Sequence, residues 1–178
     1  MEEKYTHDYY KHCDEKEADA LAWAFVNNEK MVKFPFKFSP LAKDEIRMNV
    51  YYTGLCATDV MCARTGWLTK YPLVPGHEII GEISMVGSDV KDFKKGEIVA
   101  FGVQRDCCDK CQNCKRGREN ICIDPSIDIW TFGYHFGGYA TQIQQPAKFF
   151  FHLPPNFNLQ KGALLCVVLQ HFIQWIVS

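Results

Sequence analysis

Cys108, Cys111, Cys114 and Cys122 stand in the pattern C-x2-C-x2-C-x7-C, and this pattern limits the fold more than any other feature of the chain. A two-residue gap lets successive thiolates converge on one point, and the longer gap lets the chain return to close a tetrahedron, with sulfur ~2.3 Å from zinc. A shell of four cysteines leaves no open coordination position, so such a zinc is structural. The stretch from Cys107 to Cys122 has little hydrophobic periodicity. It therefore reads as a loop held by a metal instead of by a core, with Lys110, Lys115 and Arg116 partly offsetting the thiolate charge. Cys107 sits beside a ligand and reads as a bystander. A register starting from it would give C-x3-C, and four buried free thiols are the metal-free alternative.

The chain has nine cysteines, and their chemistry depends on the compartment. Met1–Ala20 is polar and carries Asp and Glu throughout, which excludes a secretory signal and argues against a transit peptide. No apolar run is long enough to span a bilayer. These observations imply a cytoplasmic protein away from membranes, where metal ligation explains clustered cysteines better than disulfides do. A net charge of −1 gives no electrostatic reason to expect nucleic acid. Lys115-Arg116-Gly117-Arg118 is followed at once by Glu119 and reads as a solvated turn, so a nucleic-acid-binding finger is disfavoured.

Around the loop the chain is β-rich. Residues 45–52 alternate polar and apolar as a half-buried strand does. Residues 78–83 predict a second strand in which Gly81 allows a bulge, and residues 96–100 a third. Residues 137–141 read as a return to strand, and Leu159–Val168, after Pro154-Pro155, as a helix. Met1–Ala20 reads as a loose lead-in, or at most a short helix from Asp14 to Leu21. Short strands separated by turns predict an antiparallel barrel or sandwich.

Three further places hold reactive side chains. Gly54-Leu55-Cys56-Ala57-Thr58-Asp59 is a turn with a thiol, a hydroxyl and a carboxylate. Pro75-Gly76-His77-Glu78 enters a strand, and Leu164-Leu165-Cys166 puts a thiol in an apolar segment. Composition alone does not join them, and a lone His is more often structural than a ligand.

Taken in order with Pro72-Leu73-Val74-Pro75, with Gly117-Arg118-Glu119-Asn120-Ile121-Cys122 and with Gly137-Gly138-Tyr139-Ala140, these motifs resemble the zinc-dependent medium-chain alcohol dehydrogenases, most of all their cinnamyl alcohol dehydrogenase-type branch. The resemblance runs from about Ala22 to Cys166. It implies a mainly β, GroES-like, partly open barrel carrying a four-cysteine zinc lobe and two zinc ions per chain. Cys56, His77 and Cys166 match the ligands of the catalytic zinc, and Glu78 the acidic neighbour able to ligate it. Thr58 matches the hydroxyl that bonds the substrate alcohol, and Asp59 a carboxylate supporting the site. The activity implied is NADP-dependent (or NAD-dependent) oxidation of a small alcohol or reduction of an aldehyde. Two residues past Asp59 the family often has a His that ends a proton relay, where this chain has Met61. Trp67 falls where the family lines its substrate pocket, and equally reads as a half-buried aromatic.

Family members are about twice as long and carry G-x-G-x-x-G in a Rossmann domain, a motif that does not occur here. The expectation is an incomplete enzyme: a polar extension over residues 1–20, a GroES-like domain over 21–166 and an atypical tail over 167–178. Any homodimer then belongs to a full-length form. Where the family has A-G-V-T-T-F after its third ligand, this chain has Val167-Val168-Leu169-Gln170-His171-Phe172, which a one-base deletion in suitable codons produces. Out-of-frame translation and a genuine short tail both fit. A non-catalytic zinc module is the rival to the enzyme reading.

Overall fold

The computed structural model describes residues 6–7, 10–67, 69–131 and 135–163. Its first sheet contains β1 (Thr6–His7), β2 (Tyr10–His12), β3 (Ala20–Phe25) and β4 (Met31–Phe38), in the antiparallel order β1-β2-β4-β3. In β4 the alternation of Phe34 and Phe36 with lysines sends the rings to one face, where both are buried. Pro35 lies inside this strand. It is tolerated because β2 ends opposite Phe36, one residue short of needing the missing donor.

Residues 10–20 correct the expected lead-in. The helix considered for Asp14–Leu21 does not form, and Ala20 already opens β3. Tyr10, only 3% exposed, stacks on Phe136 with ring centroids 4.1 Å apart and meets the edge of Phe36 at 5.4 Å. Burying so large a side chain contributes roughly 1.5–3 kcal/mol, enough to hold a three-residue strand between β1 and β4.

The second sheet contains β5 (Glu45–Thr53), β6 (Ile79–Val86), β7 (Ile98–Phe101), β8 (Gln142–Pro146) and β9 (Phe150–His152), in the order β8-β5-β6-β7-β9. Gly81 is needed here, since a Cβ would lie 1.9 Å from the Asn49 carbonyl oxygen where β5 slips its register against β6. The strand expected at 137–141 starts at Gln142 instead. The residues before it bridge to the first sheet, with Ala22 opposite Ala140 and the Trp23 N–H donating to the Tyr139 carbonyl. The result is two open sheets joined along residues 139–146, without a closed barrel. The helices α1 (Ala57–Thr65), α2 (Gln112–Lys115) and α3 (Leu159–Gly162) are short. The first four residues of the helix expected over 159–168 are thus helical. The rest of that segment, Cys166 and the tail lie outside the described residues. No helix of the described residues is long and apolar enough to cross a membrane.

Candidate metal centres

β5 and β6 carry the first cluster between them. After β5, the Gly54 turn leads to Cys56, which has extended backbone angles and caps α1. Asp59, three residues on and 2% exposed, turns one carboxylate oxygen back to accept the Cys56 N–H at 3.0 Å. Its other oxygen accepts the Gly76 N–H at 2.8 Å and lies 3.1 Å from His77 Nδ1. One carboxylate therefore fixes a helix start, a turn and an imidazole. Burial pushes the Asp59 carboxyl up, but the His77 bond and charge and the two backbone N–H groups outweigh it, and it ends below the ordinary carboxylate range. Burial pushes His77 down, and Asp59, together with the neighbouring Cys56, more than reverses that. With Nδ1 donating to Asp59, the lone pair of His77 resides on Nε2.

Glu78 follows at the entrance to β6. The ligand atoms of Cys56, His77 and Glu78 all lie within 4.8 Å of one another. Both Glu78 carboxylate oxygens are buried without a hydrogen-bond partner among the described residues. Burial raises its pKa, with the charge of Asp59 adding to this and that of His77 opposing it. A carboxylate buried in this way is costly unless a cation faces it. A thiol, an imidazole and a carboxylate form a donor set suited to zinc, so these residues fit the metal. Gly54 makes the space: a Cβ there would lie 2.0 Å from Glu78 Oε2 and 2.5 Å from the Ala163 carbonyl oxygen. Thr58 is half-buried in the first turn of α1, while Met61 and Trp67 are exposed. The structure thus gathers Cys56, Asp59, His77 and Glu78, with Thr58 adjacent. Cys166 is outside the described residues, and the last described residue, Ala163, borders the cluster.

A second segment, whose role the sequence did not disclose, holds the His77 turn. The N–H groups of Gly137, Gly138 and Tyr139 donate to the carbonyls of Val74, Gly76 and Pro75 at 2.8, 2.8 and 2.9 Å. A Cβ on Gly137 would lie 2.2 Å from the Gly76 oxygen, and one on Gly138 2.7 Å from Ile79. The Gly-Gly pair is what lets two backbones meet here. Gly76 itself has φ +101°, a region that L side chains rarely adopt.

The second cluster is the four-cysteine lobe. The sulfurs of Cys108, Cys111, Cys114 and Cys122 lie within 4.8 Å of one another, and Cys107 is not among them. Backbone N–H groups point at the sulfurs: that of Cys111 at Cys108 Sγ (3.3 Å) and that of Cys114 at Cys111 Sγ (3.5 Å). The Cys114 and Ile123 N–H groups hold the Cys111 thiol down at about 6, and those of Asp124 and Cys108 lower Cys122, which favours the thiolate form a metal requires at these two positions, while burial and the neighbouring sulfurs push Cys114 up. Lys110, Lys115 and Arg116 are exposed. The cation in contact with the lobe is Lys148, whose Nζ lies 3.2 Å from Cys107 Sγ and pairs with Asp109.

Comparison with known proteins agrees with this geometry. Residues 42–155 match the family described as the alcohol dehydrogenase GroES-like domain. Cinnamyl alcohol dehydrogenase 7 of Arabidopsis thaliana is 38% identical over 162 residues, covering 85% of this chain and 44% of that protein. Mannitol dehydrogenase of Petroselinum crispum is 38% identical over 141 residues, covering 74% of this chain and 42% of that protein. Among solved structures, the cinnamyl alcohol dehydrogenase of Sorghum bicolor superposes with a TM-score of 0.74 at 27% identity, covering 81% of this chain and 43% of that one. The Helicobacter pylori CAD solved in complex with NADP(H) gives the same TM-score and identity, covering 81% and 44%. The chain thus spans less than half the length of the relatives it matches. The family match extends over more than half of this chain, which therefore belongs to the zinc medium-chain alcohol dehydrogenases, in their GroES-like domain and on the cinnamyl alcohol dehydrogenase-like side of the family.

Proposed function

We propose that this chain supplies the metal-holding, substrate-facing domain of an NADP-dependent alcohol dehydrogenase acting on a small alcohol or aldehyde. The observation that carries the reading is the buried Cys56–His77–Glu78 cluster with its imidazole fixed by Asp59. In this reading it holds one zinc together with Cys166, and the Cys108–Cys111–Cys114–Cys122 lobe holds a second. The first zinc supplies a Lewis acid that makes a bound hydroxyl easier to deprotonate.

The remaining work falls to the chain. Asp59 fixes the tautomer so that Nε2 faces the metal position. Glu78 contributes negative charge where a cation would sit, and burial keeps bulk water away from it. Thr58, in the first turn of α1, is placed to exchange a hydrogen bond with a substrate hydroxyl. Met61 carries no proton, so a proton leaving Thr58 passes to water at the exposed face of α1. The hydride acceptor, NADP, belongs to the part of the relatives that this chain does not span. The substrate class, and a homodimer in a full-length form, are carried over from the same resemblance.

Metal analysis of the purified chain tests the proposal. Two zinc equivalents are expected, with His77→Ala removing one and Cys111→Ser the other. A chain that holds a single zinc unaffected by His77→Ala would remove the enzyme reading and leave the rival, a structural zinc module.

A further inference from the structure

Lys148 is not a ligand in either candidate centre, yet it is bound on three sides by the lobe. It projects from the 3-10 turn Ala147–Phe149, between β8 and β9, whose Phe149 is buried against the core of the second sheet. Its Nζ is 3.2 Å from Cys107 Sγ, pairs with Asp109, and lies 3.5 Å from Glu119 Oε1. Each partner lies on a different part of the lobe. Cys107 immediately precedes the first ligand, Asp109 is inside the Cys108–Cys111 gap, and Glu119 is inside the Cys114–Cys122 gap.

A second observation points the same way. Asp109 has φ +54°, a left-handed backbone that is uncommon for a residue other than glycine. The Asp109 side chain accepts from both Lys148 and Cys107 Sγ, and these bonds favour its strained conformation. Exposed ion pairs are individually worth little. Here, however, one ammonium on a rigid turn closes three contacts at once, and they reach the first and the last of the three gaps of the ligand loop.

We propose that Lys148 is a positioning residue for the lobe's metal: it ties the first and last of the ligand loop's three gaps to the second sheet and so slows release of the ion. The inference rests on the reading that the four cysteines hold zinc. By contrast, Lys110, Lys115 and Arg116 are exposed and lack an ion pair among those found in the described residues. They could contribute only diffuse charge.

The test is the rate of zinc transfer to a chromogenic chelator from the 178-residue chain, in a His77→Ala background so that only the lobe's metal is read. Lys148→Met should accelerate release by about tenfold, the lower end of the effect of groups that support metal ligands. Lys148→Arg should restore most of the slow rate. Asp109→Gly relieves the left-handed backbone but removes a Lys148 partner, so it should speed release and reduce the further effect of Lys148→Met in the double variant to what the Cys107 and Glu119 contacts contribute. The global urea midpoint of each zinc-loaded variant is followed in parallel. Equal release rates for the parent and Lys148→Met, or acceleration matched by an equal fall in global stability, would overturn the inference. So would slower release from Asp109→Gly. A parent lobe that binds no zinc would overturn both this inference and the reading beneath it, whereas unchanged release from a zinc-loaded lobe overturns this inference alone.

Discussion

Asp59 shows how much one side chain can determine. It accepts from the Cys56 and Gly76 N–H groups and from His77, so Asp59→Asn replaces one acceptor oxygen with a donor inside a buried network. Zinc affinity at the Cys56–His77–Glu78 cluster should fall roughly 10- to 100-fold, measured by competition with a chelator, while the lobe keeps its zinc. The metal-free protein should also respond to pH through the same pair. The Asp59 pKa is lowered on folding, so its contribution is fully present above the ordinary carboxylate value near ~3.9 and is lost as pH falls through the lower folded value. The His77 pKa is raised, so its contribution is present below about 6.5 and is lost as pH rises through the higher folded value. Metal-free melts should therefore show the pair's largest benefit between about pH 4 and 6.5, and Asp59→Asn should flatten that window. An unchanged profile in the variant would rule the pair out as its origin. Gly54→Ala tests the cradle: the added methyl overlaps Glu78 Oε2 and the Ala163 carbonyl, and a loss of about 1–3 kcal/mol is expected in urea titrations.

At the scale of elements, the short strand β2 is where energetics and sequence reading part company. Tyr10→Ala should cost about 3 kcal/mol by urea denaturation, because its ring fills the space among Phe36, Phe38 and Phe136. A cost below ~0.5 kcal/mol, typical of surface positions, would mean that β2 is an ornament. The sequence hid this strand because a single aromatic anchor stands among polar residues, and such a segment shows no period until its partner is known. β4 is legible in principle from Val32, Phe34, Phe36 and Phe38, but a proline in mid-strand is an unfavourable signal for one. The strands over 45–53, 79–86 and 98–101 were read almost to their ends, since one face of each is buried and alternation survives. The metal-ligand candidates were legible for a different reason: ligand chemistry restricts residue type and spacing together. What spacing could not reveal was Lys148 on the lobe and the three amides of residues 137–139 on the His77 turn, both contacts made across distant sequence. For the lobe itself, α2 and the 3-10 turn Glu119–Ile121 are too short to persist alone. Chelation should therefore release the amides of residues 108–122 to rapid hydrogen exchange and leave β5 and β6 protected. Protection of the lobe without metal would show that packing against the second sheet suffices.

On the scale of the whole molecule, two open sheets are joined along residues 139–146, and the first candidate centre lies beside that junction. The sequence conveyed the β-rich class and, through the resemblance, the domain family and a partly open barrel, while the separation into two open sheets came only from pairing. The chain spans less than half of its relatives' length, so the exposed side chains beside the centre, Leu55, Met61 and Trp67, are described for this domain alone. One feature of the layout also sets an order in time. Cys56, Asp59, His77 and Glu78 are all carried between the start of β5 and the end of β6, a stretch complete at Val86. The glycines that clamp the His77 turn arrive only at residues 137–138. On a ribosome, synthesis from the N-terminus would therefore deliver these four side chains before the lobe, the clamp or Cys166 has emerged, so that the first centre is begun early and is completed and secured only as translation proceeds.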